Sequence, residues 1–431
     1  MNGRTVIANA RLLDPESRLD APGALLIEGG RIADLGPRLL DGGLPDGVEL
    51  IDAGGACLAP GLVDMRVQLG EPGAEHKETF ASGTLAAAAG GVTSLACLPN
   101  TEPVIDDPAM VEFVARRARQ QKRAKVFPYG AITKACGGKQ LAELALLKEA
   151  GAVGFTDGVR AVEGSLVMRR AMSYASALGL RLIQHPEDPA LARGGVMNEG
   201  EIATRLGLAG IPAIAEVILV ERDLRLVELT GAAYHVAHLS TAAAVEAVRR
   251  ARARGLPVTA DASPLHFALN ELEVEGYRTY AKVSPPLRSE DDRRAVIEGL
   301  KDGTIDAIAS DHAPQDQDSK RLPFAQAEFG AVGLETLLPV SLGLVHDGSL
   351  GILDVLDKLT RAPAGLLGIE AGRLRKGAPA DLVLFDPEAP GRIREEDLHS
   401  LSKNTPFEGR LIQGKVLRTL VDGRTIYQAA S

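Results

Sequence analysis

Polar side chains follow several apolar stretches of the sequence, each at the point where the stretch ends. They are Asn100, Asp157, His185, His238, Asp261 and the pair Asp311-His312. A single histidine there is more often hydrogen-bonded structure than a ligand, Asp157-Gly158 could be a turn, and Asp311 could cap the next helix. Two histidines and two aspartates together, however, are the ligand types of a hydrolytic metal site. We therefore expect Asp157, His185, His238 and Asp311 to meet at one site.

A cation occupies an unusual place in the first strong apolar stretch. Residues 62–69 predict a buried strand that runs into a loop rich in Gly and Pro. Alternation places Arg66 and Gln68 on one face of this strand, and a buried cation is costly unless it is paired. We expect this face to line the polar site, with Arg66 between the carboxylates of Asp157 and Asp311. The alternative is that Arg66 extends along the rim to solvent.

Apolar strands alternate with helical stretches from about residue 60 to residue 365. The predicted strands span 62–69, 93–98, 125–131, 152–156, 181–184, 234–239, 257–261 and 306–310. The helical stretches between them include 110–122, 140–150, 166–178, 214–229 and 242–254. Eight such repeats predict an α/β protein with a (β/α)8 barrel of the TIM type, whose strand ends converge on one mouth. A doubly wound sheet is the alternative, but no Gly-x-Gly-x-x-Gly motif follows a strand.

Short strands and turns characterise both ends of the chain. The first segment contains predicted strands at 5–8, 24–28, 31–35 and 49–52, and the last has them at 380–386, 414–421 and 424–427. Residues 27–32 predict a tight hairpin. We expect residues 1–58 and 368–431 to fold together beside a barrel formed by residues 59–367.

Composition excludes several classes of protein. The 431 residues are 45% hydrophobic and 24% charged, which is typical of soluble proteins. The net charge of −9, the absence of a Lys/Arg run and the lack of Trp argue against a nucleic-acid partner. Three widely spaced cysteines favour a reducing compartment. No export signal or membrane-spanning stretch is predicted, so we expect a cytoplasmic protein.

Several motifs together carry a resemblance to a known family. They are Pro60-Gly61-Leu62-Val63-Asp64-Met65, Glu71-Pro72-Gly73, Gly90-Gly91-Val92-Thr93, Pro99-Asn100-Thr101, Val236-Ala237-His238-Leu239-Ser240-Thr241, Pro285-Pro286-Leu287-Arg288, Asp311-His312-Ala313-Pro314, Gly333-Leu334-Glu335 and Asn404-Thr405-Pro406-Phe407-Glu408-Gly409. The chain resembles dihydroorotase of the amidohydrolase superfamily along nearly its whole length. The resemblance is to the class I type, whose partner is aspartate carbamoyltransferase.

The resemblance implies a fold, a reaction and a set of site residues. The fold is a (β/α)8 barrel beside a small β-sandwich built from both termini. The reaction is zinc-assisted opening of the dihydroorotate ring, in which metal-bound hydroxide attacks the amide and an aspartate, here Asp311, shuttles the proton. By resemblance Asn100 binds substrate, while Asp157, His185, His238 and Asp311 hold metal. An oligomer is also expected.

The residues that depart from the family pattern are those that would bind metal or substrate. Arg66 and Gln68 replace the first-strand His-x-His, and Gly70 replaces the arginine that binds the substrate carboxylate. Three further replacements are Ser284 for an asparagine, Gln315 for a histidine and Gly158 for the aspartate after Asp157. A permanent guanidinium charge repels a dication, and an amide is a poor zinc ligand. Loss of the arginine also removes a bidentate clamp for a carboxylate.

Two hypotheses follow from these departures. The first is a non-catalytic partner of aspartate carbamoyltransferase in pyrimidine biosynthesis, resembling the degenerate members of the family. The second is an active cyclic amidohydrolase that uses one zinc ion, acting on dihydroorotate or on a hydantoin- or allantoin-like substrate. The pair Arg66 and Gln68 discriminates between them.

Overall fold

The structure is a computed structural model that describes residues 4–430. Strands alternate with helices in the middle of the chain and stand alone at its ends. The strands are β1 Arg4–Asp14, β2 Leu19–Glu28, β3 Arg31–Gly36, β4 Val48–Asp52, β5 Cys57–Pro60, β6 Leu62–Val67, β7 Val92–Cys97, β8 Lys125–Pro128, β9 Arg181–Gln184, β10 Met197–Asn198, β11 Gly210–Ile211, β12 Ala233–Val236, β13 Val258–Ala262, β14 Ala307–Ile308, β15 Leu382–Arg392, β16 Leu411–Val421 and β17 Arg424–Gln428.

The helices lie between β6 and β15, as expected for a barrel. They are α1 Phe80–Ala89, α2 Pro108–Arg119, α3 Leu144–Glu149, α4 Ser165–Ala177, α5 Glu201–Leu206, α6 Ile214–Thr230, α7 Ala242–Ala253, α8 Pro264–Ala268, α9 Glu290–Lys301, α10 Gln317–Arg321, α11 Leu337–His346, α12 Ile352–Leu359 and α13 Arg361–Leu367. Side-chain caps start several of them. Asp107 accepts a hydrogen bond from the backbone of Met110 at the start of α2, where Pro108 follows the cap.

The central strands close into a ring. Strands β6, β7 and β8 form one parallel sheet, and β9, β12, β13 and β14 form another. Bridges from Phe155 to Gly130 and to Leu182 join the sheets on one side, and a bridge from Val67 to His312 joins them on the other. An open doubly wound sheet would leave two edges. The barrel prediction is therefore confirmed, with seven strands and the segment around Phe155 making up its eight positions.

The fourth predicted barrel strand, 152–156, is reduced to those bridges. Gly154 lies at its centre, and Gly151 and Gly158 flank it. A glycine inside a strand has no side chain to pack and weakens the strand. A Cβ at Gly154 would lie 3.0 Å from the Tyr129 ring, so the backbone approaches its neighbour closely here.

Both terminal segments contribute to one eight-stranded sheet. Its order is β17-β16-β15-β5-β1-β2-β3, with β4 beside β1. Strand β5 pairs in parallel with β1 and antiparallel with β15, so it joins the first segment to the last. Apolar side chains from both segments, including Ile7, Leu25, Leu382 and Leu420, share a separate core. This sheet is the small β unit expected beside the barrel.

The hairpin predicted at residues 27–32 is present. Glu28 pairs with Arg31 across the turn. Gly29 and Gly30 adopt φ values of 59° and 78°, a backbone region that favours glycine in tight hairpins. Within residues 4–430, no helix combines the length and the apolar character needed to cross a membrane.

Candidate active site

Arg66 lies at the end of β6 with its guanidinium buried in the mouth of the barrel. Nε donates to Oδ1 of Asp311 at 2.7 Å, and Nη2 donates to the carbonyl of Gly158 at 3.1 Å. The side chains of this ion pair are only 4% and 9% exposed. Nη1 has no hydrogen-bond partner within the described residues. Arg66 therefore points into the barrel and does not extend along the rim to solvent.

Asp64 fastens β6 to the segment that precedes Asp311. Its Oδ1 accepts hydrogen bonds from the backbone N–H groups of Arg66 and Ser310, each at 3.1 Å. Oδ2 has no partner within residues 4–430. Burial raises the pKa of Asp64 to about 6, against the hydrogen bonds that lower it. The carboxylate positions the backbone next to the Arg66–Asp311 pair, and its ionised form is destabilised by burial.

We expect Asp64→Asn to stabilise the protein near pH 7.5 by up to about 3 kcal/mol. The pKa of Asp64 is about 6 in the folded protein and 3.8 in the unfolded chain. Ionisation of Asp64 therefore lowers the free energy of unfolding progressively as the pH rises from 3.8 to about 6. The amide keeps the acceptor oxygen and carries no charge. Urea unfolding of both proteins at pH 4.5 and pH 7.5 measures the effect. The exposed Asp52→Asn is the control, and an equal difference at both pH values would contradict this account.

Asp157 is held by Thr133. The backbone N–H of Thr133 donates to Oδ1 at 2.9 Å, and its hydroxyl donates to Oδ2. Burial is the largest influence and raises the pKa of Asp157. The expectation that Arg66 bridges Asp157 and Asp311 is wrong for Asp157, because Arg66 contacts the neighbouring carbonyl of Gly158 instead.

Asn100 fixes the turn that carries Asp157. Its side-chain amide donates to the carbonyl of Asp157 at 3.0 Å, and its oxygen accepts from the N–H of Val159 at 3.1 Å. A Cβ at Gly158 would lie 1.6 Å from that oxygen, and Gly158 has a φ of 67°. The side chain of Asn100 therefore leaves no space for a side chain at Gly158, the position where the family has an aspartate. The side chain expected to bind substrate is engaged in shaping the turn.

His185 and His238 face each other at the mouth, where they follow the adjacent strands β9 and β12. Nδ1 of His185 lies 3.1 Å from Nε2 of His238, and the rings stack with centroids 4.9 Å apart. Burial, followed by the charge of Arg66, holds the pKa of His238 well below its usual range. The backbone N–H of His238 donates to Asp261, whose second oxygen contacts Nε2 of His235 at 2.8 Å. Asp261 therefore holds the ends of β12 and β13 together and has a structural role.

The arrangement does not fit a metal ion. No three His, Cys, Asp or Glu side chains between residues 4 and 430 are placed to hold one. Asp311 is paired with Arg66, Asp157 receives two hydrogen bonds from Thr133, and one nitrogen of each histidine is directed at the other ring. The structure brings Arg66 to Asp311 and His185 to His238. It does not assemble the expected ligands into one set.

Gly70 stands where the family has its carboxylate-binding arginine. Its φ is 67°, and a Cβ there would lie 2.6 Å from the carbonyl of Glu78 and 2.7 Å from that of Ala74. The N–H of Ala74 also donates to the carbonyl of Gly70 at 2.6 Å. The loop is closed tightly over this position. A larger residue would require the backbone to move.

The other departing positions are engaged with their surroundings. The hydroxyl of Ser284 donates to Glu187 at 3.3 Å. The Gln315 side-chain amide donates to the carbonyl of Phe329 at 2.8 Å, and its backbone N–H donates to Asn404 at 3.1 Å. Gln68 is half-buried, and its backbone donates to the carbonyl of His312. These residues hold loops around the mouth.

A cavity of about 410 Å³ remains at the mouth. His185 and Glu187 line one side, while Cys136, Val159 and Arg160 belong to loops that follow neighbouring barrel strands. Its volume is within the range of small-molecule sites. The cavity lies at the carboxyl end of the strands, as expected for a barrel site.

Asp64, Thr133 and Glu78 contribute to the site but were absent from the predicted site residues. Thr133, which holds Asp157, comes a few residues after β8 and could have been found by the same rule of strand ends. Glu78 lies 3.4 Å from Nε2 of His312 and also accepts from Ser400 near the end of the chain. No local pattern marks Glu78, because its partners are distant in the sequence.

Similarity to known proteins identifies the family. Residues 55–244 match the profile of the dihydro-orotase-like family, and residues 228–427 match the amidohydrolase family. The chain is 47% identical over 424 residues to a dihydroorotase of Wolbachia sp. subsp. Drosophila simulans (strain wRi), covering 98% of this chain and 95% of that protein. The chain belongs to the dihydroorotase family. The family resemblance inferred from the motifs is confirmed.

Other relatives support the same assignment. A dihydroorotase of Pelobacter propionicus is 46% identical, with coverage of 98% of this chain and 99% of that protein. An L-hydantoinase of Arthrobacter aurescens superposes with a TM-score of 0.89, covers 99% of this chain and 96% of that chain, and is 24% identical. At that identity the likeness shows the fold, a barrel with a β-sandwich. The protein is thus a dihydroorotase-like amidohydrolase.

Proposed function

We propose that this member of the dihydroorotase family does not hydrolyse dihydroorotate and is a structural partner of aspartate carbamoyltransferase in pyrimidine biosynthesis. The observation that carries the proposal is the buried ion pair between Arg66 and Asp311. A guanidinium is permanently charged and stands in the position of the family's first metal-binding histidine.

Three features of the mouth oppose the family reaction. The charge of Arg66 repels a divalent cation within a site of low dielectric constant. Oδ1 of Asp311, which would have to receive a proton, already accepts a hydrogen bond from Arg66. Gly70 offers no cation for the carboxylate of dihydroorotate, and its closed backbone leaves no room for one. The substrate would therefore have no metal to activate the amide, no free carboxylate to transfer the proton and no cation to orient its carboxylate.

Preservation of the rest of the molecule supports a role as a partner. The barrel ring is complete, the terminal segments share one sheet, and the replaced residues make local hydrogen bonds. Such a fold offers a stable surface whether or not its mouth performs chemistry. The resemblance to class I dihydroorotases points to aspartate carbamoyltransferase as the protein that would use this surface.

An active amidohydrolase with one zinc ion is the second candidate function. The facing pair His185 and His238 favours it, because imidazole is a common zinc ligand and the two rings lie at adjacent strand ends. Relatives of 46–47% identity are also named dihydroorotase. Its substrate would be dihydroorotate or a related cyclic amide. It requires Asp157 to leave Thr133 and a metal to lie beside the charge of Arg66.

We expect the purified protein to show no dihydroorotate hydrolysis. An active enzyme of ordinary efficiency turns over at about 1 per second or faster. The assay should be run with and without added zinc, beside a catalytically active dihydroorotase prepared in the same way. Metal content should be measured on the same samples. Turnover at an ordinary enzymatic rate, with zinc bound to the protein, would favour the second candidate and reject the proposal.

We also expect the protein to co-purify with the aspartate carbamoyltransferase of the same organism. Deleting the protein should lower the activity or the assembly of the transferase, because the partner surface would be missing. Size-exclusion chromatography of the mixed proteins measures the complex, and transferase assays in the deletion strain measure the consequence. A transferase that is fully assembled and active alone would count against the proposed role.

A further inference from the structure

A second cavity, of about 850 Å³, lies between the barrel and the terminal sheet. Its walls come from α2, from β8 and the loop before it, and from the turn between β16 and β17. We call it the junction cavity. Among the described residues, none that lines it also lines the cavity at the mouth. The junction cavity is therefore separate from the candidate active site.

Lys125 of β8 joins the two walls of the junction cavity. Its Nζ donates to Oδ2 of Asp381 and to Oδ1 of Asp422, each at 2.8 Å. Asp422 lies in the turn between β16 and β17, and its backbone N–H donates to Asp381 at 2.9 Å. Helix α2 packs against β8 on the other side. Helix, strand and turn therefore form one continuous lining.

Cations outnumber carboxylates in this lining. The cations are Arg116, Arg119, Lys122, Arg123, Lys125 and Arg424, and the carboxylates are Glu112 and Asp422. Asp422 and the neighbouring Asp381 are both bonded to Lys125. Glu112 is then the one lining carboxylate left for the other five cations.

Charged residues just outside the lining do not remove this excess. They form pairs of opposite sign: Arg117 with Glu71 at 2.6 Å, Arg31 with Glu370 at 3.1 Å, and the adjacent exposed residues Lys148 and Glu149. The junction cavity therefore keeps an excess of positive charge, although the chain has a net charge of −9.

Four of the lining cations have no protein partner. The side chains of Arg116, Arg119, Lys122 and Arg424 are exposed and make no hydrogen bond or ion pair within residues 4–430. The helix dipole favours a cation at Arg119, in the last turn of α2. It does not account for Lys122, which follows the helix, or for Arg424, which begins β17. An anion in the cavity would meet cations from all three segments.

Two phenylalanines give the same cavity an apolar wall. Phe113 of α2 and Phe127 of β8 both line it and are partly exposed. Aromatic rings of a ligand stack on such side chains. The volume is within the range of about 300–1,000 Å³ found for small-molecule sites, and a single phosphate ion would fill only a small part of it. The lining therefore suits a molecule that is both anionic and aromatic.

We propose that the junction cavity binds a nucleotide, with its phosphates among Arg116, Arg119 and Arg424 and its base against Phe113 and Phe127. Guanidinium groups bind phosphate oxygens through paired hydrogen bonds, and every base offers a flat face for stacking. The inference is independent of the proposed function, since it uses no residue of the mouth. A nucleotide here would contact both the barrel and the terminal sheet.

Direct binding to the full chain is the first test. Isothermal titration calorimetry at low ionic strength should use ATP, GTP, CTP and UTP as probes, beside inorganic triphosphate and adenosine. We expect at least one nucleotide to bind, to raise the temperature of unfolding and to bind more weakly as salt is added. Inorganic triphosphate and adenosine should bind more weakly, because each meets only one part of the lining. Failure of all four nucleotides to bind would overturn the inference.

Removal of two cations locates the binding site. Arg116→Gln with Arg119→Gln should weaken nucleotide binding by at least about tenfold, because two charged hydrogen-bond donors are lost. Arg169→Gln with Arg170→Gln is the control, since it removes the same charge from two exposed positions of α4. The control should bind as the wild type does, and both variants should unfold at the wild-type temperature without ligand. Equal weakening in the two variants would show that only net charge matters and would reject the site.

The aromatic wall is tested separately. Phe113→Leu and Phe127→Leu keep apolar volume and remove one ring each. We expect each to weaken nucleotide binding by at least about fivefold and to leave inorganic triphosphate binding unchanged. Inorganic triphosphate that binds the wild type as tightly as the nucleotides would show a simple anion site, and the nucleotide would be rejected. An RNA oligonucleotide that binds more tightly than any single nucleotide would also overturn the inference.

Discussion

Arg66→Ala is expected to lower the free energy of unfolding by roughly 3–5 kcal/mol, the range for breaking a buried ion pair by removing one partner. The substitution removes the bonds to Asp311 and to the carbonyl of Gly158. Asp311 would be left as a buried carboxylate without its cation. Desolvation of that charge, more than the loss of the bond itself, sets the size of the effect. Urea unfolding near neutral pH measures it.

Two control proteins identify the cause. In Arg66→Met with Asp311→Asn, neither member of the pair is charged, and we expect a smaller loss than for Arg66→Ala. Arg11 forms an ion pair with Asp20 whose side chains are 44% and 37% exposed, so Arg11→Ala should cost at most about 1 kcal/mol. A loss below about 1 kcal/mol for Arg66→Ala would show that the pair does not stabilise the mouth.

Arg66→His combined with Gln68→His is expected to create zinc binding where the wild type has none. The guanidinium charge would be removed, and two imidazoles would join His185 and His238 at the mouth. Imidazole is among the preferred zinc ligands, and three or four ligands suffice for a site. We expect about one zinc ion per chain after dialysis, measured by atomic absorption, against a small fraction of one for the wild type.

Turnover should remain absent in this double variant. Gly70 still lacks a side chain that could orient a carboxylate, and Gln315 still anchors its loop through Phe329. Gln68→His alone is the control, because Arg66 remains and should keep the metal out. Stoichiometric zinc in the wild type would contradict the argument from charge. Rapid hydrolysis by the double variant would show that Gly70 and Gln315 matter little.

Most of the fold could be predicted from the alternation of apolar strands and helices. Strands β6, β9 and β13 begin within one residue of their predicted starts, since buried parallel strands are continuous apolar runs. The segment 152–156 did not form a strand of its own, because Gly154 at its centre weakens regular pairing. Helix α3 is also shorter than predicted, beginning at Leu144 instead of residue 140.

The residues Arg66, Asp157 and Asp311 of the polar site could be predicted from the sequence, whereas Thr133, Glu78 and the hydrogen bonds of the site were not predicted. The barrel rule located Arg66, Asp157 and Asp311 at strand ends, which is where they lie. The oxygen atoms that Arg66 contacts depend on side-chain conformations and on residues that are distant in the sequence. Arg66 pairs with Asp311, from which it is separated by 245 positions, while Thr133 competes successfully for Asp157. Periodicity carries no information about that competition.

The position of β5 has a consequence during translation. This strand pairs with β1 on one side and with β15 on the other, yet the barrel lies between Pro60 and Leu382 in the chain. A ribosome adding about 5–20 residues per second takes tens of seconds to synthesise that interval. Throughout this time β5 has an unpaired edge, and Leu58 lacks the apolar contacts supplied by Leu382 and Leu420. Such an exposed edge is a place where nascent chains associate wrongly and where chaperones bind.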